Sequence, residues 1–345
     1  RIFSEFLFYN KMSHINQTST LNAPGMKMPV VGIGTFLSPE EEIETAIDAA
    51  LKVGYRHIDT ALWYRNEAAI GKTLKKWFDG GKLKREDVFI TTKLPATANR
   101  PEHVEKSIKQ SLNDLQLEYL DLYLIHHPVG LQYCEGGGFT DISRHADGKV
   151  KLDMTTDHIA LWKGMEKQVV EGRTKAIGVS NFNIRQIERI LKSAVYAPAT
   201  NQVEMHLYLQ QKDLQDFSKK TGVMITAYAP LGSPGFQSFV QNMGGNADEI
   251  VNLNPLEEPA VLSIAKVHRK QPAQVLLRHL LQLGAAVIPK STNPLRIQAN
   301  FDIFDFELTL SEMKQLNSLD KGKEGRRFVT NILNGIEDHP EYPYN

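Results

Sequence analysis

Four polar residues stand at or just beyond the ends of three successive apolar runs. They are Asp59 in GYRHIDT, Tyr64 after it, Lys93 in VFITTK and His126 in LDLYLIHHP. Alone, a tyrosine is a poor acid at neutral pH, with a pKa of about 10. A neighbouring ammonium favours the phenolate, and a carboxylate can hold that ammonium in place. The set therefore predicts a proton donor usable near neutrality, and a histidine that aims a carbonyl oxygen at it. Each residue alone is also what an ordinary strand end carries, so everything depends on whether the fold brings the four together.

The elements that must do so repeat a simple pattern of helix, glycine and strand. In EEIETAIDAALKVGYRHID, Ile43, Ala46, Ile47, Ala50 and Leu51 share one helical face, and Gly54 ends the helix before a short apolar strand. The same order recurs at Gly172, Gly222 and Gly284. Strands are predicted near 30–34, 55–59, 88–93, 120–126, 174–180, 199–203, 223–228 and 286–289. They are short and apolar on both faces, as buried parallel strands are. Eight such β/α units predict a closed (β/α)₈ barrel, with an open doubly wound sheet as the alternative. Residues 18–29 read as a hairpin ahead of the first strand, and Ser38-Pro39-Glu40 as an N-cap with proline at the first helical position.

In such a barrel the chemistry lies at the C-terminal ends of the strands. Asp59, Lys93, His126, Ser180, Asn181, Gln202, Tyr228, Lys290 and Ser291 all fall at that end. Two longer segments, 127–155 and the tail 321–345, are placed to shape access to it. One domain is expected over residues 18–345, with 1–17 as a leader or upstream segment.

Composition narrows the class. Lys+Arg and Asp+Glu are both 40, which argues against a general nucleic-acid or membrane-surface binder. A single cysteine, Cys134 in a glycine-rich stretch, excludes an intramolecular disulfide and has no evident partner base. No run approaches the roughly 18 apolar residues of a membrane span. The opening RIFSEFLFYNK makes a poor signal-peptide core, and the sequon Asn16-Gln17-Thr18 matters only in a secreted chain. A cytoplasmic location is expected, with secretion as the alternative.

Other motifs fail. GIGTF lacks the third glycine of a dinucleotide fingerprint, and GKT at 71–73 lacks the preceding glycine of a P-loop. His126 and His127 are expected to point to opposite faces of a strand, which argues against a shared metal. IPKSTNPLRIQAN does suggest an anion site: Lys290, Ser291, Arg296 and a helix opening at Asn293-Pro294. Tyr228 offers a flat face to an aromatic ring.

Taken together, GYRHIDTALWYRNEAAIG, KAIGVSNF and IPKSTNPLRIQAN, with TTKL and DLYLIHHP, resemble the aldo-keto reductases from about Leu21 to near the C-terminus. The resemblance implies a barrel that binds NADPH without a dinucleotide-binding domain, acts on a small-molecule carbonyl and is a monomer. It makes Tyr64 the general acid, Lys93 and Asp59 its tuning partners and His126 the orienting residue. Ser180, Asn181 and Gln202 would hold the carboxamide, Tyr228 would stack on the nicotinamide, Lys290, Ser291 and Arg296 would take the 2′-phosphate, and Asn300 would contact adenine. Thr35, Leu231 and Ser233 are further cofactor-site residues. His127 stands where the family commonly has tryptophan, and Phe36 and Pro95 where aldose-reductase-like members have it. Ala299 replaces a glutamate that often contacts adenine. Thinner aromatic walls imply a bulkier ketone, as in the insect 3-dehydroecdysone 3β-reductases of this family. A broad aldehyde reductase and a non-catalytic NADPH-bound barrel are the alternatives.

Overall fold

The computed structural model describes residues 15–134, 136–242, 254–328 and 333–345. Most of the proposed leader lies outside this range. The described chain begins with a hairpin, β1 (Thr20–Ala23) and β2 (Met26–Pro29). Eight strands follow, each β/α step returning the chain to the same end: β3 (Ile33–Gly34), β4 (His57–Asp59), β5 (Phe89–Leu94), β6 (Leu120–Ile125), β7 (Thr174–Ser180), β8 (Thr200–Glu204), β9 (Met224–Tyr228) and β10 (Ala286–Val287). They lie side by side in sequence order, and every pairing is parallel. Bridges from Val31 to Val287 and from Gly34 to Lys290 join the first strand to the last, so the sheet closes. The first and last strands are shorter than predicted, because the chain around Val31 and Pro289 pairs through single bridges rather than a ladder.

Helices α1 (Glu40–Val53), α2 (Glu67–Asp79), α3 (Pro101–Leu115), α4 (His158–Val170) and α5 (Ile184–Leu191) cover one part of the barrel. The cover continues with α6 (Lys212–Thr221), α7 (Phe236–Asn242), α8 (Pro259–His268), α9 (Pro272–Gln282), α10 (Pro294–Phe301) and α11 (Leu310–Asn317). The face of α1 predicted to be apolar is buried, and Gly54 ends that helix at φ 119°, a conformation costly for any side chain. The expected cap is different: Pro39 occupies the cap position, the helix starts at Glu40, and the buried Ser38 hydroxyl has no partner. Gly71, the tempting P-loop glycine, sits inside α2, where an added Cβ would lie 2.6 Å from backbone atoms of Asp114 and Leu115. Its role is close helix packing.

The alternation of β5 sets up the site. Phe89 belongs to the small cluster that includes Met26, Met28, Leu122, Leu124, Ala176 and Ala286, so the hairpin's methionines plug the N-terminal end of the barrel. Two and four residues on, Thr91 and Lys93 face the same interior, and Lys93 emerges near the open end. Ile90 and Leu94 alternate into the large cluster under the helices.

Candidate active site

Lys93 is fully buried, and its charge is matched inside the barrel. Its Nζ donates to Asp59 Oδ1 at 2.6 Å and to the Thr60 carbonyl at 2.8 Å. Asp59 is fixed from the other side by Gln202 Nε2 at 2.6 Å. A buried ion pair is sustained only when its remaining hydrogen-bonding positions are also satisfied, and here they are. Tyr64 arrives from a short 3-10 turn, Leu62–Tyr64, just after β4. Arg65 ends that turn at φ 57° and is clasped by the Thr140 carbonyl and Asp141. Lys93 Nζ lies 5.1 Å from the centre of the Tyr64 ring.

Burial raises the Tyr64 pKa above that of an ordinary phenol, and the Lys93 ammonium pulls against that rise. The phenol stays protonated at neutral pH, while the neighbouring ammonium reduces the cost of forming phenolate. Burial opposes the Lys93 charge as well, but Asp59 and Tyr64 hold its pKa above the usual lysine value.

The His126 ring lies 5.6 Å from that of Tyr64 and nearly perpendicular to it. Burial, with Lys93 nearby, holds its pKa well below the ordinary value, so the imidazole is neutral. His127 lines the same cavity, contrary to the opposite-face expectation. The reason is that β6 ends at Ile125, and strand alternation does not carry into the turn at Pro128. Among the described residues no cluster of potential metal ligands occurs.

These groups line one end of a cavity of about 800 Å³ that runs across the top of the barrel. Thr35, Phe36, Ser180, Asn181, Gln202, Tyr228, Leu231, Ser233, Lys290, Ser291, Arg296 and Asn300 all line it. The sequence-predicted residues are thus brought together, with Lys93 packed just beneath. Asn181, at φ 64°, donates to the His126 carbonyl and to Ser180 Oγ, and accepts from the Tyr228 hydroxyl at 2.9 Å. At the far end Asn293 caps α10 through the Leu295 and Arg296 amides. Lys290 and Arg296 form no salt bridge among the described residues. Polar groups able to hold a carboxamide at one end and free cations at the other fit an extended NADP dinucleotide.

Sequence reasoning missed several wall residues. Trp63 meets His126 edge-on and was signalled only by its position beside Tyr64. Leu131 and Ile142 from the 127–155 segment, and Phe328, Leu333, Ile336 and Tyr344 from the tail, also line the cavity. Their placement depends on contacts distant in sequence: Ile336 and Tyr342 pack with Val129, Leu131 and Val150. His339 donates to the Asp153 carbonyl, and Glu341 binds Arg189.

The chain's comparisons agree with this geometry. The family model described as aldo/keto reductase family matches residues 30–321. The chain is 42% identical over 329 residues to aldo-keto reductase family 1 member A1 of Gallus gallus, covering 93% of this chain and 95% of that protein. The Homo sapiens protein of the same name is also 42% identical, with 93% and 96% covered. A solved aldose reductase from Schistosoma japonicum superposes with a TM-score of 0.81 at 42% identity, covering 93% of this chain and 96% of that one. The chain belongs to the aldo/keto reductase family, NADP-dependent oxidoreductases that interconvert carbonyls and alcohols.

Proposed function

We propose that the protein reduces hydrophobic aldehydes and ketones, with Tyr64 as the general acid. The observation that carries this reading is the buried chain from Asp59 through Lys93 to Tyr64, at the floor of a cavity that His126 also faces. When bound, NADPH supplies the hydride. The substrate oxygen gains negative charge as it is reduced and takes the Tyr64 proton. Lys93 stabilises the phenolate left behind, and Asp59 keeps that lysine charged and in place. His126, neutral, orients the carbonyl by hydrogen bonding. Ser180, Asn181 and Gln202 hold the carboxamide, Tyr228 offers its ring face to the nicotinamide, and Lys290, Ser291 and Arg296 hold the 2′-phosphate. Thr35, Leu231, Ser233 and Asn300 complete the cofactor cleft. The complete acid set counts against a purely regulatory barrel.

For the substrate, we infer a bulky ketone such as 3-dehydroecdysone, reduced at the 3-position. The support is the absence of tryptophan at Phe36, Pro95 and His127 around an apolar pocket. A broad aldehyde reductase is the second reading, favoured by Phe328 and Tyr344, which return aromatic bulk to that space. We further place the protein as a single-domain monomer over residues 18–345, acting in the cytosol, with secretion as the alternative. No helix among the described residues is long and apolar enough to cross a membrane.

The deciding experiment follows the loss of NADPH absorbance with 3-dehydroecdysone and with a simple aromatic aldehyde. Much higher efficiency on the ecdysteroid supports the ketone reading. Turnover of the aldehyde alone leaves the mechanism standing and sinks the steroid. Turnover of neither, across a wider carbonyl panel, removes the reductase reading itself.

A further inference from the structure

Four histidines of this chain share one local arrangement or its equivalent. His127 Nδ1 accepts the Val129 amide at 3.2 Å, His206 Nδ1 the Tyr208 amide at 3.3 Å, and His339 Nδ1 the Glu341 amide at 3.0 Å. His158 Nδ1 accepts from the Arg189 guanidinium at 2.7 Å. A backbone amide or a guanidinium can only donate, so Nδ1 is the bare nitrogen in each ring. A neutral ring must then carry its proton on Nε2.

In three of the four that proton has an acceptor. His158 Nε2 reaches the Pro128 carbonyl at 2.7 Å, His206 Nε2 reaches Glu204 at 3.0 Å, and His339 Nε2 reaches the Asp153 carbonyl at 2.9 Å. His127 differs. Its Nε2–H has no protein acceptor among the described residues, and its ring is the only one of the four to line the cavity. It also keeps partial solvent exposure there. The imidazole is held neutral: burial, with His339 and His158 close by, pushes its pKa down to about 3. The Nε2–H therefore opens onto the cavity, where a ligand that displaces water from it must offer an acceptor in return to keep its affinity.

We propose that His127 is a specificity-determining hydrogen-bond donor, whose Nε2–H takes a second acceptor atom on the substrate, distinct from the reacting carbonyl. This deepens the carbonyl-reductase reading and rests on it. The favoured substrate class is an aldehyde or ketone that carries, on its apolar body, a neutral oxygen or nitrogen with a free lone pair. Because the ring is uncharged, the recognition is a hydrogen bond and not an ion pair.

The test compares benzaldehyde with pyridine-2-, -3- and -4-carbaldehyde, which keep the same shape and add one ring nitrogen. kcat and KM are measured for the wild-type protein, His127→Phe and His127→Trp. Phenylalanine retains a flat ring without a donor, and tryptophan restores an N–H. For the best pyridine aldehyde, His127→Phe is expected to lose about five- to tenfold in kcat/KM, mostly through KM. Its benzaldehyde efficiency should fall by a clearly smaller factor, so that the ratio of pyridine to benzaldehyde efficiency drops, and His127→Trp should regain part of the pyridine preference. An unchanged ratio of pyridine to benzaldehyde efficiency in His127→Phe, or equal losses on all four aldehydes, overturns the proposal. NADPH affinity, read by fluorescence quenching, checks that each variant is folded. If the wild-type protein reduces none of the four, the carbonyl-reductase reading fails instead, so the two failures are distinct.

Discussion

The two ends of the cavity are built on opposite principles. At the acid end, Lys93 and Asp59 are withdrawn from water and their hydrogen bonds are completed by Thr60 and Gln202 before any ligand arrives. At the other end, Lys290 and Arg296 reach the surface and form no salt bridge among the described residues; partial burial holds the Lys290 pKa below the usual lysine value, with Glu42 pulling weakly the other way. Rigid burial sets a proton's energy, where small displacements matter. Solvated cations suit a phosphate that must both bind and leave. The difference also implies distinct failures: damage to the buried end should show in chemistry and folding, and damage to the open end in affinity alone.

The largest effect should come from removing one oxygen at the buried end. Tyr64→Phe is expected to lower kcat for reduction by about 10²–10⁴-fold while NADPH affinity stays near wild type. Fluorescence titration and single-turnover kinetics read the two separately. In the wild-type protein, reduction needs the protonated phenol, and burial raises its pKa above the ordinary value. The rate should therefore stay level through neutrality and fall only in strongly alkaline solution. A variant with substantial activity, or with activity and NADPH affinity lost together, would erase the distinction between the ends.

Part of this contrast is legible in the amino-acid sequence. Helix–glycine–strand periodicity places every strand of the barrel to within a few residues, because parallel strands buried on both faces must be short and apolar. Strand-end position then brings Asp59, Lys93, Gln202 and Tyr228 to one face. Residues beyond a strand end are less legible: His127 enters the cavity because β6 stops at Ile125, and no alternation rule predicts a side chain in a turn. The tail is illegible for a different reason. Phe328 meets Tyr228 edge-on at 5.4 Å, and its neighbour amides at Arg327 and Phe328 are held by the buried Glu204 carboxylate. Those contacts span a hundred residues or more and leave no local pattern. The direction of the Tyr64 shift is hidden too, since a sequence shows the ammonium but not the burial that outweighs it.

Burial at the acid end has a second signature, in stability. Glu67 opens α2 three residues after Tyr64 and shares a hydrogen bond with Thr92, the neighbour of Lys93. Its Oε2 is buried without a partner, and burial raises its pKa to about 7. The folded carboxyl thus binds its proton more tightly than the unfolded one, whose ordinary value is 4.5. That contribution is fully present below pH 4.5 and disappears as pH rises through about 7. Glu67→Gln should be close to neutral at pH 4.5 and should gain stability at pH 8.5 relative to wild type, by on the order of 3 kcal/mol. Denaturant titrations at the two pH values test it. A gain that is the same at both would mean that Glu67 does not titrate in this window.

The smallest effect should come from the open end, and it is the one that best defines it. Arg296 lines the cleft beside Lys290 and Ser291 and forms no salt bridge among the described residues. Its removal leaves no buried charge behind, so Arg296→Ala should keep the melting temperature of the wild-type protein. A solvated guanidinium on a phosphate is worth about 1.4 kcal/mol here, which is tenfold in Kd. NADPH should therefore bind about tenfold more weakly, NADH should bind as before, and kcat at saturating NADPH should stay close to wild type. Salt screens exposed charges far more than buried ones. The gap between the variant and wild type should accordingly shrink as ionic strength rises from about 0.01 M to about 1 M. Equal losses for NADPH and NADH would place Arg296 against some other part of the cofactor. A salt-independent loss would mean that this end of the cavity is as dehydrated as the end that holds Lys93.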